Sequence, residues 1–197
     1  AVACDPAFNF VYEANIRYLH HLGEVTYFSP LADTSLPDVG FVYLPGGYPE
    51  LYLAALSANR QMLQSIRRYV ESGGKLLAEC GGMMYLCDEI RDKNGDVYPM
   101  AGVLHPSATM ENMKLRLGYR TLLYNETRLK GHEFHYSRLV EQQNPLPSCA
   151  VAYTAKGVET DTPLYHYKNV WAGYTHLYWA DPVGNEWFTK FVIDGNT

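Results

Sequence analysis

Short strand signals alternate with helical ones through the first half of the chain, and this pattern limits the fold more than any other feature. Ala1–Cys4, Glu24–Phe28, Val39–Leu44 and Lys75–Glu79 each read as a strand bounded by turn residues. Phe8, Val11, Tyr12, Ile16 and Leu19 recur at helical spacing up to Gly23, and Leu56, Leu63, Ile66 and Val70 line a second helical face that stops at Gly73-Gly74. Parallel neighbours need a crossover connection, so this order implies an α/β fold with a mostly parallel sheet flanked by helices. Beyond about residue 95, the extended segments Lys114–Tyr124, Phe134–Val140 and Cys149–Thr154 have no long helices between them. They read as antiparallel or mixed strands laid on an edge or a face, and Glu186–Ile193 reads as a closing helix. No repeat or linker divides residues 1–197, which are expected to form a single domain.

A parallel sheet binds its ligands beyond the carboxyl ends of its strands. Two glycine-rich turns fall there: Pro45-Gly46-Gly47-Tyr48-Pro49 after the third strand, and Cys80-Gly81-Gly82 after the fourth. A thiol at a sharp strand-to-helix turn is exposed to substrate, and the first helical N–H groups point at the reacting carbonyl. The positions two before and two after it must be small, and they are Ala78 and Gly82. The helix N-terminus is expected to favour the thiolate. Acyl transfer also needs donors for the oxyanion, worth about 3 kcal/mol each. Gly81 N–H is one candidate, and Gly46 or Gly47 supplies the other. Read by themselves, these turns could equally serve a buried cysteine and a plain tight bend.

A thiol nucleophile needs an imidazole to take and return its proton. Of seven histidines, His20 and His21 lie on the first helical face, and His105 and His166 lie in loop-like sequence. The candidates are His132 and His135 in GHEFHYS and His176 in GYTHLYW. His132-Glu133-Phe134-His135 is not a zinc motif, because H-E-x-x-H needs helical i, i+4 spacing. Cys4, Cys80, Cys87 and Cys149 form no C-x-x-C pair, so no metal is expected. Gly73-Gly74-Lys75 lacks the first glycine and the Ser/Thr of a phosphate-binding loop.

A net charge of -5 leaves no basic stripe for nucleic acid. No apolar run approaches the ~18 residues that cross a bilayer, and the N-terminus lacks a signal-peptide layout, so a cytoplasmic protein with no membrane partner is expected.

The blocks AVACDPAFNFVYEAN, FSPLAD, LPGGYPELY, AECGGMMYL, LGYR and GHEFHYS, in this order, resemble the C-terminal glutaminase domain of cobyrinic acid a,c-diamide synthase. The resemblance spans nearly the whole chain. It implies a class I glutamine amidotransferase-like, flavodoxin-like fold that hydrolyses the side-chain amide of L-glutamine and passes ammonia to a synthetase domain. By that comparison Cys80 is the nucleophile, His176 the general base and acid, and Gly47 and Gly81 the oxyanion donors. The domain itself is then expected to hold no cofactor. ATP and Mg²⁺ belong to an N-terminal synthetase domain, absent from this sequence, that amidates the a and c carboxylates of cobyrinic acid.

Two departures stand out. Class I amidotransferases usually carry His-x-Glu, and here Tyr178 follows His176-Leu177, which suggests a Cys-His dyad with slow basal hydrolysis. Four residues after the nucleophile, Met84 replaces a glutamine that contacts substrate in many members. Tyr48, His132 and Glu133 are the candidates to bind glutamine in its place. Alternatives are the same chemistry for nickel-sirohydrochlorin or a later corrin amidation, or a non-catalytic docking module. A cysteine hydrolase or chaperone of related fold would carry a histidine just after the nucleophile, where Gly81-Gly82-Met83 stands.

Overall fold

The computed structural model describes residues 1–140 and 146–194. Four strands of the central sheet come from the first half: β1 (Val2–Ala3), β2 (Tyr27–Phe28), β3 (Phe41–Leu44) and β4 (Lys75–Glu79). Val170–Gly173 pairs parallel to β4, and Leu164–Tyr167 pairs antiparallel beyond it at the edge. The order across the sheet is Leu164–Tyr167, Val170–Gly173, β4, β3, β1, β2. Apart from the antiparallel edge strand, this is the doubly wound 2-1-3-4-5 arrangement.

Strand residues alternate between two apolar clusters, as a period of two requires. Val42, Leu44, Leu76 and Ala78 face one cluster, with Met62, Leu63, Ile66 and Val70 of helix α3 (Arg60–Glu71). Val2, Tyr43, Leu77 and Trp171 face the other, which holds Leu19 of α1 (Glu13–Leu22) and Trp187 and Phe188 of the closing helix Pro182–Thr189. A five-stranded sheet packs over this second face, in the order Glu159–Thr160, Val151–Thr154, Arg116–Tyr124, Thr127–His135, His176–Tyr178. Its Leu122, Leu129, Ala152 and Leu177 complete the same cluster. A four-stranded sheet holds Glu89–Arg91, Val97–Pro99, Ala108–Thr109 and Arg138–Leu139.

Several element boundaries differ from the sequence expectation. The first helix begins at Glu13 rather than near Phe8, because Asp5 and Phe8 bridge one another and Phe10 bridges Gly46. The second helical face is split at Asn59, which ends α2 (Leu53–Ala58) and caps α3 by accepting from Met62 N. The parallel strand Val170–Gly173 comes from the second half of the chain, from a stretch the sequence did not single out as a strand.

Candidate active site

Cys80 follows β4 directly and precedes helix α4 (Gly81–Leu86). Its backbone has φ 48° and ψ -105°, a conformation that costs a non-glycine residue roughly 1–3 kcal/mol. Neighbouring elements enforce this bend. Cys80 N–H donates to Gly173 O at 2.8 Å. A Cβ at Gly82 would lie 2.1 Å from Leu44 O, so the helix meets β3 at a distance only glycine permits. The expectation of small flanking residues follows from that contact.

The loop after β3 wraps against the same turn. Gly47 has φ +155°, and a Cβ there would strike Ala7 O at 2.2 Å, so both its conformation and its packing demand glycine. A Cβ at Gly81 would lie 3.3 Å from Gly47 N. The two backbone N–H groups expected to hold the oxyanion therefore belong to touching segments beside Cys80.

His176 reaches the site by a crossing between sheets. The parallel strand ends at Gly173, next to Cys80, and the chain passes through Tyr174-Thr175 to open the strand His176–Tyr178 of the second sheet. There His176 pairs with His132. Its ring lies 4.3 Å from that of Phe10 and against Gly46. Cys80, His176, Gly47, Tyr48, His132 and Phe134, with Phe10, line one cavity of about 240 Å³. A smaller recess beside the thiol is bounded by Glu50, Met84, His135 and Ser137.

The strand Thr127–His135 sorts the GHEFHYS residues by face. His132 and Phe134 face the cavity, while Glu133 and His135 point into the protein. The strand geometry rules out the helical spacing of a zinc motif. Glu133 is 1% exposed, and its carboxylate meets Arg120 Nε at 2.5 Å, His135 Nε2 at 2.8 Å and Thr162 Oγ1 at 3.0 Å. Burial pushes its pKa up, but the His135 hydrogen bond and the Arg120 charge outweigh this and hold it below the usual carboxylate range. His135 in turn stacks on Tyr174 at 3.7 Å. Glu133 thus ties the scaffold together, whereas Tyr48 and His132 line the cavity.

The resting electrostatics run against the expected thiolate. Burial pushes the Cys80 thiol up to about 12, with Glu50 adding to the shift, and the hydrogen bond from Gly81 recovers only part of it. Burial likewise lowers His176 to about 3, and His132 and His135 contribute in the same direction. A six-residue helix does not outweigh desolvation at this depth. At neutral pH the pair is a thiol and a neutral imidazole, and Cys80 Sγ lies 3.7 Å from Phe134 O.

Three residues at the site were not singled out from sequence. Phe10 packs on the imidazole, Glu50 lines the recess beside the thiol, and burial raises the Glu50 pKa. Glu79, directly before Cys80, is 2% exposed. A buried-strand run Leu76-Leu77-Ala78 ending in a charged residue was the available signal for Glu79. Among the described residues, no three His, Cys, Asp or Glu side chains are grouped to hold a metal, and no helix is long and apolar enough to cross a membrane.

Residues 1–183 match the family described as the CobB/CobQ-like glutamine amidotransferase domain. Hydrogenobyrinate a,c-diamide synthase of Pseudomonas aeruginosa is 40% identical over 183 residues, covering 90% of this chain and 40% of that protein. Cobyrinate a,c-diamide synthase of Fusobacterium nucleatum is 40% identical over 187 residues, covering 90% of this chain and 41% of that protein. The chain therefore spans about two fifths of the length of these relatives. Among solved structures, a glutamine amidotransferase superposes with a TM-score of 0.61 at 16% identity, covering 98% of this chain and 99% of that one, a likeness of fold.

Proposed function

Because the chain belongs to the CobB/CobQ-like glutamine amidotransferase domain family, we propose that it hydrolyses the side-chain amide of glutamine through Cys80 and His176. The ammonia serves the ATP-dependent a,c-diamidation of a cobyrinate-type corrin by a synthetase domain. The observation that carries this reading is the strained elbow that holds Cys80 in one cavity with His176, beside Gly47 and Gly81.

Glutamine enters the cavity lined by Cys80 and His176. His176 takes the thiol proton as Sγ attacks the amide carbon, forming the C–S bond. The tetrahedral oxygen accepts hydrogen bonds from Gly47 N–H and Gly81 N–H. The imidazolium returns its proton to the leaving nitrogen, so ammonia departs and a thioester remains. His176 then deprotonates water, which attacks the thioester, and glutamate and the free thiol result. Glu50, an acid in the recess beside Cys80, suits the substrate ammonium, and His132 and Tyr48 suit its carboxylate end.

The neutral resting pair supports a site held at low basal activity until a partner or substrate rearranges it. ATP and Mg²⁺ belong to the synthetase domain, which activates the corrin carboxylates. Two relatives are named for different corrins, cobyrinate and hydrogenobyrinate, and the common part of both acceptors is the a,c-carboxylate pair.

The test is covalent labelling of the intact protein carrying this chain with a diazoketone analogue of glutamine, read by mass spectrometry. The adduct is expected on the Cys80 peptide and absent from Cys80→Ser. Ammonia release that persists in Cys80→Ser would overturn the reading.

A further inference from the structure

The imidazole of His176 is buried, and its Nδ1 has no hydrogen-bond partner among the described residues. A buried nitrogen without a partner is unfavourable, so a state in which Nδ1 is hydrogen-bonded is favoured over this one. The carboxyl of Glu79 stands nearest, with Oε2 4.0 Å from Nδ1. That is too long for a hydrogen bond and short enough for a side-chain rotation to close.

Glu79 is held for such a role. Tyr43 Oη donates to its Oε2 at 2.6 Å, and the backbone N–H of Leu177, next to His176, donates to its Oε1 at 3.1 Å. The indole N–H of Trp179 lies beside the same carboxyl and makes no hydrogen bond of its own. No Lys or Arg pairs with Glu79 among the described residues. An unpaired buried carboxyl is expensive unless something compensates it.

We propose that Glu79 is the positioning residue for His176, replacing the carboxylate that Tyr178 displaces from the position two residues after the histidine. It accepts from Nδ1–H, which leaves Nε2 as the acceptor facing the thiol, and it stabilises the imidazolium that forms when the thiol proton moves. The carboxyl thus arrives from the strand that carries the nucleophile, one residue before it, rather than from the strand that carries the histidine. This rests on the glutaminase reading above.

The groups that face this pair are Tyr43, Tyr12 and Cys80 near Glu79, and His132, His135 and Glu133 near His176. Burial of the carboxyl raises its pKa to about 8, so in the resting state it carries its proton at neutral pH. As the carboxyl turns to accept from Nδ1–H it releases that proton to solvent, and the carboxylate then meets the imidazolium formed when the thiol proton moves to His176.

The experiment uses the intact protein carrying this chain. In Glu79→Gln the amide keeps an oxygen for Tyr43 or Leu177 but cannot pair with an imidazolium. Its kcat for glutamine hydrolysis is expected to fall by about 10²–10⁴-fold with little change in KM. A merely structural role would not alter the histidine tautomer, so the ¹⁵N shifts of His176 are read as well. Wild type should show Nδ1 protonated and Nε2 unprotonated at neutral pH, and Glu79→Gln should lose that preference. If the variant does not fold, the wild-type spectrum still decides: a protonated Nε2 there overturns the proposal. So does a Glu79→Gln enzyme with unchanged kcat. Failure of the wild type to label at Cys80 would instead sink the glutaminase reading.

Discussion

The imidazole of His176 turns its Cε1 edge toward Gly46: a Cβ built there would stand 2.1 Å from Cε1 and 2.9 Å from Nδ1. Gly46 therefore sets where the ring sits. A methyl group at this point must push the ring aside, and the Phe10 ring, 4.3 Å away, limits where it can go. Gly46→Ala is expected to lower kcat by about 10²-fold, the scale of a displacement near 1 Å, while thermal stability changes little. Parallel assays of ammonia release and melting temperature check it.

Gly82 meets backbone rather than a side chain. Its built Cβ falls 2.1 Å from Leu44 O and 2.7 Å from Leu44 C, and neither atom can rotate away. Gly82→Ala must separate α4 from β3, and overpacking of this kind costs about 1–3 kcal/mol or more. The expected outcome is a clear fall in denaturation midpoint, together with loss of Cys80 labelling because the elbow opens.

The elbow was legible in the sequence because its constraints are local. Ala78, Cys80, Gly81 and Gly82 are consecutive or nearly so, and β4 occupies Lys75–Glu79 as the apolar pattern predicts. Glu79 was not legible as a partner of His176, since 97 residues separate them and only the pairing of Val170–Gly173 with β4 brings them together. That pairing was itself hidden, because a four-residue strand with both faces buried has no alternation to reveal it. Glu133 illustrates the reverse. With Met84 in place of a substrate-contacting glutamine it was a candidate to bind glutamine, while the strand register turned it toward Arg120, to which nothing in the local sequence points.

Glu133 should matter to stability before it matters to substrate. Removing it strands Arg120, whose side chain is 10% exposed, and breaks the His135 and Thr162 hydrogen bonds. Loss of one partner from a buried pair costs about 3–5 kcal/mol, which is the fall expected for Glu133→Ala in urea unfolding. Because its folded pKa lies below the carboxylate value of 4.5, the contribution is complete above that pH and disappears as pH falls through the folded pKa. The difference between wild type and variant should therefore shrink in acid. A raised KM with unchanged stability would instead make Glu133 a substrate ligand.

Glu79 has the opposite linkage. Burial raises its pKa from 4.5 to about 8, so the folded state keeps a proton that the unfolded state releases. Below pH 4.5 both states are protonated and nothing is lost. Between pH 4.5 and 8 stability falls as pH rises, by several kcal/mol at about 1.4 kcal/mol per unit, and above 8 the loss is complete. Glu79→Gln does not titrate, so its melting temperature relative to wild type should climb across that window. Melting curves that stay parallel from pH 5 to 8 would show that the folded carboxyl is already ionised.

The strain at Cys80 can be measured by comparing two variants that lack the thiol. At an ordinary buried site, alanine is more stable than glycine by roughly 0.5–1 kcal/mol, because glycine has more backbone freedom to lose. At φ 48° and ψ -105° the order should reverse, since glycine adopts this conformation without the Cβ clash that alanine retains. Cys80→Gly is expected to exceed Cys80→Ala by about 1–2 kcal/mol in unfolding free energy, while both release no ammonia. That reversal would show that the fold holds Cys80 against its backbone preference. Alanine proving the more stable of the two would mean that the elbow relaxes in solution and that the thiol is not held in the attacking geometry.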